Sequence, residues 1–193
     1  AHSQGRQAEL PELPLQYADY SLWQRRYIDG EVLNRKLAYW KTKLDGAEPL
    51  DLPTDFVRPA IRGGRGEITI FRLEKDLSDK ITAFSQTNGL SLYMTLLAAY
   101  DVLLSKYSGQ DDISVGASIA NRPQEELEGL IGFFVNTLTL RNLVNPESTF
   151  KELLEQVKQT TLEAYEHQDV PFEKIVEAVV KDRDPSRSPL FQV

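Results

Sequence analysis

The chain has 193 residues, a formal net charge of -7 and no cysteine. That length suits one large domain able to bury roughly 70% of its unfolded surface, and the acidic balance argues against a nucleic-acid partner, which needs a basic stripe to displace counterions. Without cysteine there is no disulfide, thiolate metal site or cysteine nucleophile, and no apolar run approaches the roughly 18–20 residues of a membrane span, so the expectation is a soluble, cytoplasmic protein.

In chain order, Asp19 to Tyr27 and Glu31 to Leu44 have helical composition and are separated by the turn-prone Asp29-Gly30. Residues 1–46 thus form a helical lead-in. From 47 to 66 the chain carries Pro49, Pro53, Pro59 and a "GGRG" run, which neither helix nor central strand tolerates, and reads as a surface loop. An α/β core is expected over 67–193. Glu67 to Leu73 alternates as a strand, and a helix follows with Leu77, Ile81 and Phe84 on one face and Asn88-Gly89 as its stop. Ser91 to Tyr107 is apolar nearly all round, as a helix buried between layers would be. Two strands, "DISVGASIA" and "GFFVNTLTL", come next, joined by a charged segment able to hold a short helix. "STFKELLEQVKQTTLEAYEHQ" opens with a capping-box pattern at Thr149 and Glu152, Pro171 starts a shorter helix, and "PLFQV" reads as a strand cut off by the end of the chain. The fold class is α/β, a mixed β-sheet flanked by helices.

Within "IGFFVNTLTLR" an amide, Asn136, falls inside a strand, where asparagine is depleted because its side chain competes for backbone hydrogen bonds. Alternation puts it on one face with Phe134, Leu138 and Leu140. Buried there, it needs partners or costs about 1–3 kcal/mol. A histidine metal cluster is unavailable, because the chain has only His2 and His167, and no metal is expected. "IRGGRGE" precedes a strand instead of opening a helix, so it lacks the geometry of a phosphate cradle. His167 and Asp169 suggest a base with a carboxylate, but local structure is the favoured reading, with Asp169 capping amides before Pro171. "YADYSLWQ" is read as packed aromatics more than as a binding surface, and "EELE" as a solvated helix face. No catalytic dyad emerges from spacing.

Four stretches in order, "YADYSLWQ", "IGFFVNTLTLR", "HQDVPFE" and "RDPSRSPLFQV", resemble the late motifs of the condensation domain of nonribosomal peptide synthetases. They contain Tyr17, Asp19, Trp23, Arg141, His167, Asp169, Arg183 and Arg187. "SGQDDISVGASIANR", ending at Arg122, resembles the family's "TGQDDIVVGTPVANR"-type segment.

The resemblance implies a chloramphenicol acetyltransferase-like lobe, one of two that form a V around a tunnel. In that family carrier proteins deliver thioesters on phosphopantetheine arms, and the amine of one aminoacyl thioester attacks the carbonyl of the other; no cofactor is bound directly. The family's HHxxxDG histidine motif does not occur in this sequence. The chain is therefore read as a C-terminal lobe, with no catalytic residue of its own and inactive alone. Its implied partners are the carrier proteins, the other lobe and a neighbouring adenylation domain, and the lobe face implies self-association. Asn136 matches the family's "FVNT" asparagine, which implies a tunnel-wall role positioning the amine or a thioester carbonyl, and an Asn136→Ala substitution is expected to slow amide formation with folding largely intact. Ser118 either presents its hydroxyl to the same tunnel or bonds a neighbouring backbone group. Arg122, Arg141, Arg183 and Arg187 are read as scaffold residues, and Asn121 to Leu130 as part of the tunnel floor. A noncatalytic docking module, a related acyltransferase and an epimerisation domain are the alternatives, the "FVNT" motif favouring condensation over epimerisation.

Overall fold

A computed structural model of the chain describes residue 5, residues 12–64 and residues 66–193; His2 and the Arg65 of the glycine run lie outside the described residues. The elements in order are α1 (Tyr17–Tyr27), α2 (Gly30–Leu44), α3 (Lys75–Thr87), α4 (Leu92–Ser108), β1 (Asp112–Ile119), a 3₁₀ turn (Glu125–Leu127), β2 (Asn136–Leu143), α5 (Phe150–Glu166) and α6 (Phe172–Val179).

Local chemistry sets most of these limits. Asp19 accepts from the Gln16 amide at 2.9 Å, so α1 begins two residues earlier than its composition suggests. Asp29 caps the Gly30 amide at 2.8 Å, and Gly30 turns the chain into α2 with φ +53°. Ser91 caps α4 through Met94 at 3.1 Å, and left-handed Gly109 closes it. The capping box of α5 is present: Thr149 Oγ1 accepts from the Glu152 amide at 3.3 Å and Glu152 accepts from the Thr149 amide at 2.7 Å.

β1 and β2 pair antiparallel from Asp112 opposite Leu143 to Ile119 opposite Asn136. α4 and α5 pack against this sheet, and α2 against α6. The main core joins Trp40 and Leu44 of α2, Leu97 and Ala98 of α4, Ile113, Leu138, Leu140, and Leu154 and Val157 of α5. A smaller cluster of Tyr20, Leu127, Leu130 and Phe134 fastens α1 to the loop before β2.

The helix-and-sheet class is the expected one, but several elements differ from the sequence reading. Among the described residues the sheet is not mixed: its two strands are antiparallel. Glu67–Leu73 joins no sheet; Ile68, Ile70 and Phe71 are 86%, 82% and 80% exposed, so its alternation has nothing to face. α4 is not buried all round: Leu97, Ala98 and Leu104 are inside while Leu96, Leu103 and Tyr107 remain exposed. β2 starts at Asn136, not at Gly132. A β-carbon on Gly132 would stand 2.2 Å from the Tyr17 ring, and Tyr17 Oη donates to the Phe133 carbonyl at 2.9 Å, so α1 holds this stretch out of the ladder. "PLFQV" forms no strand of its own, yet the Val193 carbonyl accepts from the Gly116 amide at 2.8 Å beside β1.

Candidate functional site

A pocket of about 230 Å³ opens where α1, the loop before β2 and the start of α6 meet. Tyr17, Tyr20 and Gln24 line it from α1, Phe133 to Thr137 from the loop and strand, Pro171 to Glu173 from α6, and Asn121 from the chain after β1. Its aromatic wall is rigid: Tyr20 lies 4.7 Å and Tyr17 5.1 Å, edge to face, from Phe134 between ring centroids. Arg122 lies over the Phe134 ring at 3.9 Å, its guanidinium bonded to the carbonyls of Leu127 and of Leu130, the latter at 2.9 Å. Burial pushes the Tyr20 phenol pKa up, with the Tyr17 and Asp169 charges adding to it, so the hydroxyl stays neutral at physiological pH.

Asn136 is buried in this wall, and its amide is well partnered. Nδ2 donates to the carbonyls of Gln168 and Val170, both at 2.8 Å, and Oδ1 accepts from the Phe172 amide at 3.0 Å. The side chain thus ties the first residue of β2 to the "HQDVPFE" segment and caps the first amide of α6, which Pro171 ahead of it leaves open to a side-chain acceptor. The sequence pattern assigns such capping to Asp169. Asp169 instead pairs with Lys36 at 2.8 Å and so braces α2.

His167 is placed by local contacts. Nδ1 lies 2.9 Å from the Glu163 carbonyl, the ring stacks on Tyr39 with centroids 4.0 Å apart, and the His167 carbonyl accepts from Trp40 Nε1 at 3.2 Å. Asp169 is turned to Lys36, so no histidine–carboxylate dyad forms. Ser118 is exposed, and its cross-strand partner is Thr137 while Asn136 faces Ile119, so the two expected tunnel residues point to opposite sides of the ladder.

Arg141 makes a bidentate pair with Asp112 (2.7 and 2.9 Å) and binds the carbonyls of Lys43 and Asp45, tying the sheet to the end of α2. Arg187 reaches Asp51 at 3.1 Å, while Arg183 is exposed and forms no ion pair among the described residues. Trp23 stacks on Tyr27 at 5.1 Å on the outside of α1. Asn121, which the resemblance places only as the first residue of a tunnel-floor segment, is a non-glycine with φ +50°.

The condensation-domain family model matches residues 2–193. This chain belongs to the condensation-domain family. It is 54% identical over 186 residues to one of the linear gramicidin synthase proteins of Brevibacillus parabrevis, covering 96% of the chain and 4% of that protein. It is 46% identical to chondramide synthase cmdD of Chondromyces crocatus over its whole length and 5% of that protein. The X-domain from teicoplanin biosynthesis superposes with a TM-score of 0.90 at 32% identity, covering 100% of this chain and 44% of that one. The chain therefore spans less than half of a solved relative and a small part of the synthases it resembles. Among the described residues no helix is long and apolar enough to cross a membrane.

Proposed function

We propose that the chain is the C-terminal lobe of a condensation domain that joins carrier-protein-bound aminoacyl and peptidyl thioesters into an amide. The family match along almost the whole sequence carries this reading, and the synthases in which its relatives reside are in keeping with it. In this reaction the acceptor amine attacks the donor thioester carbonyl, the thiolate of the donor arm leaves, and the amine's surplus proton passes to it as a thiol. The lobe's contribution is one wall of the reaction space. A preset amide dipole facing the developing oxyanion is worth about 2–4 kcal/mol when its geometry is right. Asn136 has one Oδ1 lone pair free, but both Nδ2 hydrogens are committed to carbonyls, so its role is to hold Phe172 and Pro171 in the pocket wall. Ser118, exposed at the end of the opposite face of the ladder, faces the remainder of the domain in this reading.

The other lobe and the carrier proteins are the proposed partners, with an adenylation domain as the proposed neighbour in the synthetase. The exposed apolar run of Ile68, Ile70 and Phe71 and the outer face of α4 are the surfaces that such a partner would cover in this reading. The test compares this chain with the complete condensation domain that contains it: amide product from loaded carriers is expected from the complete domain and none from the chain alone. A second reading, a noncatalytic docking module, is favoured by the 0.90 superposition on an X-domain, a type of domain also solved in a complex with OxyB. Carriers that keep their loads in the complete-domain assay would support it.

A further inference from the structure

Three side-chain amides line the pocket: Asn136 is tied to the start of α6, Gln24 donates to the Tyr20 hydroxyl at 3.3 Å, and Asn121 is placed differently from both. Asn121 has φ +50°, a backbone state that glycine adopts freely and other residues adopt at a cost. It is only 8% exposed, yet among the described residues its side chain has no hydrogen-bond partner. Nor do its polar atoms belong with the sealed, unpartnered ones, which include Asn142 Oδ1 and Asp101 Oδ1. Asn121 lines the pocket, and no described residue takes up its amide. Strain of this kind at a pocket wall, together with an amide that no described residue engages, points to recognition. The surroundings specify the ligand's character: Tyr17, Phe133, Val135 and Phe172 offer apolar flanks, and Asn136 has no hydrogen left to donate.

We propose that Asn121 is the ligand-reading amide of this pocket. Nδ2 donates to a carbonyl oxygen, and Oδ1 accepts from the N–H, of an amide-bearing acyl chain laid against the aromatic wall. This rests on the condensation reading above. Two sources carry that chemistry, the pantetheine arm and the aminoacyl group itself. Asparagine also tolerates left-handed backbone better than most residues, so a purely conformational role must be separated from recognition.

Asn121→Gly does so in the complete condensation domain, because glycine keeps the backbone and removes only the amide. The expected result is a thermal midpoint equal to or above that of the parent, with the single-turnover rate of amide formation lowered fivefold or more. In the parent domain, the Asn121 side-chain NH₂ resonance is expected to shift on titration with pantetheine or with an N-acetyl amino-acid amide. Whichever probe moves it identifies the source. A rate loss under fivefold, or no shift with either probe at millimolar concentration, overturns the proposal. If the parent domain forms no amide, the condensation reading fails, and the resonance titration alone then decides whether Asn121 binds the acyl chain.

Discussion

Asn136→Ala in the complete domain will be a folding mutation as well as a pocket mutation. The substitution removes three hydrogen bonds, to the Gln168 and Val170 carbonyls and from the Phe172 amide, in a wall where Asn136 is 8% exposed. A neutral hydrogen bond contributes about 0.5–1.5 kcal/mol net, and a buried group left without a partner costs about 1–3 kcal/mol. Water entering from the adjoining pocket recovers part of this, which leaves a loss of about 2–4 kcal/mol. Urea denaturation reads it as a lower midpoint with unchanged slope. Asn136→Asp provides the sign test. It turns a carboxylate toward two carbonyls, so its folded pKa rises above the unfolded value; the variant approaches the parent in acid and loses stability as pH rises through the folded pKa. An Asn136→Ala loss under about 0.5 kcal/mol, the low end for a single hydrogen bond, would refute the view that this amide is primarily a staple, and would return it to the tunnel role that sequence alone implies.

Asp101 is fully buried, with Asn142 Nδ2 at 2.9 Å, and burial pushes its pKa up to about 7, against a smaller lowering from the Asn142 bond. The raised folded pKa makes stability complete below the unfolded value near 3.8 and lost as pH rises to about 7, by up to about 4 kcal/mol. Asp101→Asn, which retains an acceptor for Asn142, is expected to flatten denaturation midpoints between pH 4 and 8; an unchanged slope counts against the reasoning. Gly116→Ala would place a β-carbon 2.2 Å from the Phe191 ring, and overpacking of this kind costs about 1–3 kcal/mol. Protease should then cut residues 184–193 faster, with Phe191→Ala restoring the parent stability to the double variant; equal cleavage rates would show that the tail adapts. The chain alone is expected to self-associate through Ile70, Phe71 and the outer face of α4. Ile70→Lys with Phe71→Lys should return it to monomer in light scattering, and a parent that is monomeric at high concentration would contradict this.

What is legible in the sequence is chiefly local. The α5 capping box, the α2 start at Asp29-Gly30 and the stop at Asn88-Gly89 each involve residues a few positions apart, and the structure places them close to the expected limits. Burial of Phe134, Asn136, Leu138 and Leu140 on one face also follows the alternation. Elements that depend on distant partners are harder to read. "EITIFRL" has the pattern of a half-buried strand, but pattern names a face and not a partner, and the segment pairs with nothing among the described residues. The start of β2 is set by Tyr17, 116 residues from the Phe133 carbonyl it binds. Strand composition marks Asn136 as an amide in need of partners; those partners lie 32 to 36 residues on, in a motif whose Asp169 is the better cap by spacing alone. The resemblance places Asn121 at the edge of the tunnel floor, but its left-handed backbone is not legible, because backbone handedness has no pattern at a single asparagine.

The most direct test is a single-turnover reaction. The complete condensation domain containing residues 1–193 is mixed with a donor carrier loaded with one aminoacyl thioester and an acceptor carrier loaded with another, and intact-protein mass spectrometry follows both. The donor carrier is expected to lose its acyl group as the acceptor carrier gains the same mass in an amide-linked dipeptidyl thioester. Both carriers keeping their original loads, with the domain folded and bound to them, would contradict it.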